Sequence, residues 1–127
     1  MHKSKLAGFI IDCKIDNLQD AAQFWGKALG MKVQQLPDEE GDKYIKLIDK
    51  NSSLHIEVQS VEHQSRVHLD IETDNINSEV KRLEDLGAKV IENVNTWCVM
   101  QAPTGHKFCV VKNGSTEFTN EANKWYS

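Results

Sequence analysis

The sequence predicts an α+β fold: two tandem βαβββ modules forming a cupped, eight-stranded mixed sheet. Three observations carry this. First, Ile10-Ile11-Asp12-Cys13-Lys14-Ile15-Asp16-Asn17-Leu18 returns as His68-Leu69-Asp70-Ile71-Glu72-Thr73-Asp74-Asn75-Ile76, at a constant offset of 58 residues. Second, in each copy one alternating strand precedes one amphipathic helix and three short strands. Third, 127 residues with 39% hydrophobic and 27% charged side chains give enough apolar material for one ordered domain. A ferredoxin-like fold would need only two strands between the helices, whereas three follow the first helix within its own copy.

In the first copy, residues 6–14 place Phe9, Ile11 and Cys13 on one face and Ile10, Asp12 and Lys14 on the other, as in a half-buried strand. Asn17 is the N-cap of a helix with Asp20 near its positive end. Leu18, Ala22, Trp25 and Leu29 form its apolar stripe, and Gly30 ends it. Gly26 within that helix implies close packing. Strands follow at 31–36, 44–48 and 54–59, separated by an acidic turn at 38–42 and a polar turn at 50–53.

The second copy repeats the plan. A strand at 66–73 sets Val67, Leu69 and Ile71 against His68, Asp70 and Glu72. Asp74 or Asn75 caps a helix with the stripe Ile76, Val80, Leu83 and Leu86, ended by Gly87. Glu79, Lys81, Arg82, Glu84 and Asp85 read as its solvated face. Strands at 89–93, 97–101 and 107–111 complete it, with a turn at 102–106. Module one thus spans about 6–60 and module two about 66–112 of a single domain covering 1–127. The tail, 113–127, is polar, but Phe118, Trp125 and Tyr126 suggest that it docks.

A net charge of −4 with no basic run gives no support for a nucleic-acid or anionic-membrane partner. The apolar run Leu6 to Ile11 is too short for a signal h-region or a membrane span. Cys13, Cys98 and Cys109 are odd in number and lack C-x-x-C spacing, which fits reduced thiols in a cytoplasmic protein.

The sheet faces turned from the helices carry Ile10, Asp12, Glu57, Gln59, His68, Asp70 and Cys109, with Trp97 or Cys98 beside them. Polar groups among apolar ones on a concave surface are the makeup of a small-molecule site. His68 is a ligand-orienting or proton-transfer group, or a structural histidine bonded to Asp70, Asp12 or a carbonyl. Asp12 and Asp70 hold equivalent positions, which favours a structural bond to a backbone or turn over acid–base work. Cys13 reads as core, and Cys109, among Phe108, Val110 and Val111, as inert packing. Trp97 is a possible stacking wall. His2, His55, His63 and His106 read as surface or turn residues.

The segments F-W-G-K-A-L-G-M-K-V, V-H-L-D-I-E-T-D-N and A-P-T-G-H-K-F-C-V-V resemble the glyoxalase/bleomycin-resistance/extradiol-dioxygenase (vicinal oxygen chelate) superfamily, in its glyoxalase-like domain branch. The resemblance covers about residues 6–112. It implies a ligand cleft between the modules and, since family members usually dimerise, a homodimer. Metal-dependent members hold a divalent ion from four strand positions. Here these fall on Ile10, on Glu57 (or Gln59), on His68 and on Cys109. Isoleucine cannot ligate, so a metal-free protein binding a small, partly apolar molecule is the expectation, without a cofactor. Its ligand contacts would be Asp12, Gln59, His68, Asp70, Trp97 and Cys109. The alternative is a glyoxalase-like lyase or isomerase with His68 and Glu57 as catalytic groups. In that case a divalent metal such as zinc would sit on Glu57, His68 and Cys109. An interaction module with a self-filled cleft is the third reading.

Overall fold

The computed structural model describes residues 1–113 and 122–126. Its elements run β1 (His2–Cys13), α1 (Leu18–Leu29), β2 (Lys32–Gln35), α2 (Glu40–Lys43), β3 (Tyr44–Ile48), β4 (His55–Ser60), β5 (Arg66–Thr73), α3 (Ile76–Asp85), β6 (Lys89–Val94), β7 (Trp97–Gln101), β8 (Lys107–Lys112) and β9 (Asn123–Trp125). The fold is α+β with mixed strand pairing. β1 runs parallel to β4 and β5 parallel to β8, and β2–β3, β3–β4, β6–β7 and β7–β8 are antiparallel. The eight strands read from the sequence are present, and β9 is an unforeseen ninth. No helix among the described residues is long and apolar enough to cross a membrane.

The chain divides into two compact units, Gly8–His68 and Met1–Ala7 with Leu69–Ser127. The division falls inside β1 and β5. The first seven residues therefore group with the second repeat and not with the first.

In the unit Gly8–His68 the strand order is β2-β3-β4-β1. Alternation in three strands turns Ile11, Cys13, Ile45, Leu47, Ile56 and Val58 toward α1. Ile45, Leu47 and Val58 are wholly buried, and burying such a side chain contributes about 1.5–3 kcal/mol. Leu18, Ala21 and Ala22 of α1 close this core. Asn17 caps the helix by accepting the amide of Gln19, and Gly30 ends it at φ +69°. A Cβ on Gly26 would lie 2.9 Å from Val33 Cγ2 and 3.1 Å from the Met31 carbonyl oxygen, so the helix crosses β2 as closely as the sequence implied. Two expectations fail here. Leu29, the last residue of α1, is exposed and lies outside the core cluster. The acidic turn contains the one-turn helix α2, preceded by Asp38 at φ +57°.

In the second unit the order is β5-β8-β7-β6. Leu83 packs with Cys98, Met100 and Val110 over that sheet, and Leu86 is exposed beyond it. Asn75, not Asp74, caps α3 through the amide of Ser78, while the Asp74 carboxylate accepts the amide of Lys3.

Two readings of this unit are corrected. Glu79 is not on a solvated face, and His2 is not a surface residue: they are 0% and 5% exposed. His2 Nε2 lies 2.8 Å from Glu79 Oε1, and the Arg82 guanidinium grips both Glu79 oxygens at 2.8 Å. The Arg82 fork in turn lies 3.9 Å over the Trp125 ring, whose indole N–H donates to Ser4 Oγ at 2.8 Å. The tail docks as expected at Trp125, where β9 pairs with His2–Ser4 of β1. Tyr126 is exposed, and Phe118 lies outside the described residues. Helical periodicity could not show Glu79 to be buried, since two of its partners, His2 and Ser4, come from the chain's first strand.

Burial alone would raise the pKa of Glu79. Hydrogen bonds from Arg82, His2 and Ser4, with the charge of Arg82, outweigh it and hold the carboxyl below its ordinary value of 4.5. A depressed carboxyl stabilises the fold above its unfolded pKa, and that contribution is lost as pH falls through the folded pKa. Glu79→Ala leaves Arg82 and His2 without their buried counter-charge. It is expected to cost about 3 kcal/mol in urea unfolding at neutral pH, and less as the pH is lowered below 4.5. A loss that is independent of pH would contradict this.

Candidate functional site

The functional candidates of the unit Gly8–His68 follow from one parity. With Ile11 and Cys13 committed to the core, Asp12 must face the other way, and it is 2% exposed. Its Oδ2 lies 2.7 Å from His68 Nδ1 and 3.7 Å from Arg66 Nε. Its Oδ1 is fully buried with no hydrogen-bond partner. A carboxylate held this way needs compensating charge and bonds close by. His68, whose side chain is 14% exposed, and Arg66 supply them. The bond to Asp12 is one of those expected of a structural His68, whereas the reading of Asp12 alone gave it a backbone or turn partner. His68 is the residue by which the second copy differs from Ile10.

The same face carries two further pairs. Glu57 is buried beside Ile10, its register partner in β1, and one carboxylate oxygen lies 3.0 Å from His55 Nε2. His55 is at the surface as expected, and its ring meets the buried Glu57 from there. Gln59 stands opposite Asp12 in β1 and Tyr44 in β3, and its amide donates to the Tyr44 hydroxyl at 3.0 Å. Asp12 and His68 come together, while Glu57 and Gln59 each bond a different neighbour. In the second unit Asp70 and Cys109 are register partners across β5 and β8, Cys109 also faces Val99, and Trp97 stands opposite Val111. Burial, and then the charge of Asp12, push the Cys13 thiol up, so it is inert core as expected.

An open cleft of about 460 Å³ lies against this unit, between the first two turns of α1 and the ends of β1 and β5. Ile11, Ile15, Phe24, Trp25 and Val67 make its apolar wall. Phe24 and Trp25 meet edge to face, with ring centroids 5.0 Å apart at 87°. Phe24 is 61% and Val67 57% exposed, and the two line the same cleft. Arg66, Ser65 and Asp12 complete the wall at the strand ends. Sequence reasoning missed Phe24, Ser65 and Arg66. Phe24 lies off the helical stripe beside Trp25. Arg66 carried one usable signal: it sits two residues before His68 and so on the same strand face.

A model of the family described as "Glyoxalase-like domain" matches residues 8–111. The chain belongs to the glyoxalase-like domain family. Among curated proteins none matches it. Solved structures share its fold at low identity. A hypothetical protein, BH1468, from Bacillus halodurans C-125 has a TM-score of 0.65 at 13% identity, over 91% of this chain and 99% of that one. A methylmalonyl-CoA epimerase from Mycobacterium tuberculosis has a TM-score of 0.62 at 12%, over 87% and 88%. A protein titled NAD-dependent benzaldehyde dehydrogenase from Legionella pneumophila has 0.61 at 9%, over 82% and 97%. These three titles name different activities or none, so the likeness carries the vicinal-oxygen-chelate fold and no reaction.

The metal expected of metal-dependent members can be set against this unit's residues. Ile10 offers no ligand atom, and its side chain is buried next to Glu57. Glu57 is engaged by His55, and among the described residues it joins no group of three metal-capable side chains with converging ligand atoms. Two of the four family positions therefore do not fit an ion, and no chemistry is derived through one.

The Asp12–His68 bond does fix a tautomer. An ionised carboxylate can only accept, so the shared proton sits on Nδ1 and Nε2 is the basic nitrogen of the ring. Ring-nitrogen NMR of the neutral imidazole should show His68 as the Nδ1–H form in the native protein, with that preference lost in Asp12→Ala. A native His68 in the Nε2–H form would contradict the assignment.

Proposed function

We propose that this protein is a glyoxalase/bleomycin-resistance-like binder of a small, partly apolar molecule, working without a metal, and that the cleft beside α1 receives the ligand. The observation that carries this reading is an open cleft of about 460 Å³ with an edge-to-face aromatic pair on one wall and charged strand ends on the other. Its size and makeup match those of small-molecule sites, about 300–1,000 Å³ with few polar groups. The chain's partner is then a small molecule, with neither nucleic acid nor membrane required. The cytoplasm and a homodimer remain part of the proposal.

A second reading has one observation in its favour. The Asp12–His68 pair is built as a proton-transfer group is built, with a buried carboxylate orienting an imidazole. A lyase or isomerase would use His68 as its base, positioned by Asp12. Glu57, the other catalytic candidate, is occupied by His55. Binding is preferred because the cleft exists whether or not His68 reacts.

The test uses naphthylethanol, a neutral aromatic probe, followed through the indole N–H signal of Trp25. Saturable perturbation of that signal is expected, unchanged after dialysis against EDTA. Phe24→Ala removes an exposed ring and leaves the core intact, and should weaken binding about tenfold, the worth of one aromatic contact. No saturable shift at Trp25, or binding indifferent to Phe24, would refute the reading.

A further inference from the structure

We infer that the ligand of this cleft is an amphipathic anion, an apolar or aromatic body ending in a carboxylate-type acceptor, and that Arg66 is the residue that selects it. The inference rests on the binding reading above and specifies the chemistry of the same site.

The polar groups that can still bond decide the charge of the ligand. Asp12 is the nearest negative charge, yet it has nothing to offer a ligand: Oδ2 is held by His68 and Arg66, and Oδ1 is buried out of reach. A cationic or donor-bearing ligand therefore finds no acceptor there. Arg66 is different. Its side chain is 43% exposed, and it lines the cleft. Nε points to Asp12 and one Nη2 hydrogen to His63 Nε2 at 3.3 Å. A guanidinium has five N–H donors, and those two contacts leave others unspent. Ser65, next to it, accepts the amide of Lys14 at 2.9 Å, a bond that does not use its hydroxyl hydrogen. The strand-end side of the cleft thus presents donors.

The remaining charged groups on the wall are Lys14 and Asp20. Lys14 adds a second cation near the mouth. Asp20 opposes it, but lies in the first turn of α1, where the positive helix end partly offsets a carboxylate. Formal charges alone would balance. What breaks the balance is accessibility: the buried partner of Arg66 anchors the fork without shielding its outer face. A tethered guanidinium of this kind suits a carboxylate, which it can grip with two parallel bonds. The Phe24–Trp25 wall then takes the apolar body.

The experiment compares three probes with one ring system: naphthylacetate, naphthylethanol and naphthylethylamine. Binding is read at the Trp25 indole in the full chain. The acid should bind at least about tenfold more tightly than the amine, with the alcohol between them, and its advantage should shrink as salt is raised. Arg66→Gln should abolish the acid's advantage, read as the ratio of acid to alcohol affinity within the same variant. Should that variant fold poorly, Arg66→Lys keeps the charge but loses the fork, and the acid's advantage should fall several-fold. An amine that binds as well as the acid, or an acid advantage untouched by either variant, would overturn the inference while leaving a neutral binding site intact. Failure of the alcohol itself to bind would instead overturn the reading on which the inference rests.

Discussion

The carboxylate of Asp12 is the constraint on which the unit Gly8–His68 depends. Strand parity forces it away from the helix-side core, and burial forces it to find compensation. That compensation comes from the start of β5: His68 at 2.7 Å and Arg66 at 3.7 Å. Because its second oxygen has no partner, these two contacts carry the whole cost of burying the charge. They fix the tautomer of one ring and the direction of one guanidinium. Of these two residues Arg66 also lines the cleft, so one of the groups that compensate Asp12 is the cation of the proposed site. Structure and recognition share one charge.

The second unit solves a similar problem differently. Glu79 is more deeply buried than Asp12, but both of its oxygens are bonded, by Arg82 and by His2. The network ends on Trp125, which is bonded to Ser4 and covered by Arg82. Every polar group in that cluster has a partner, and its role is to hold the first and last strands together. Comparing the two carboxylates shows why only one marks a candidate site. A fully satisfied buried acid stiffens a fold, whereas a one-sided one leaves its cation facing outward.

Much of this was legible in the sequence. The 58-residue repeat and the two periodicities placed eight strands and two long helices, and β3, β5 and β7 begin and end where the residues said they would. The repeat also singled out His68 against Ile10, and that substitution creates the partner of Asp12. Other features were hidden for physical reasons. Leu29 and Leu86 continue apolar stripes but are exposed, and no stripe encodes where the core stops. His2 and Glu79 are polar by type, and only a contact across 77 residues buries them. Phe24 and Arg66 belong to the cleft because α1 and β5 begin near each other, which pattern alone does not give. Glu57 and Gln59 were placed on the correct face, but facing the same way did not bring them to the same partner.

The family membership fixes the scaffold, and the residues of this chain must supply the chemistry. The energetic coupling between Asp12 and His68 is the central quantity, and a double-mutant cycle in urea unfolding measures it most directly. Stabilities of the native protein, Asp12→Ala, His68→Ala and the double variant should give a favourable coupling of about 1–3 kcal/mol, as for buried hydrogen-bonded neighbours. Additive losses, with a coupling within about 0.3 kcal/mol of zero, would mean that the two side chains do not depend on each other, and the proposed basis of the site would be wrong.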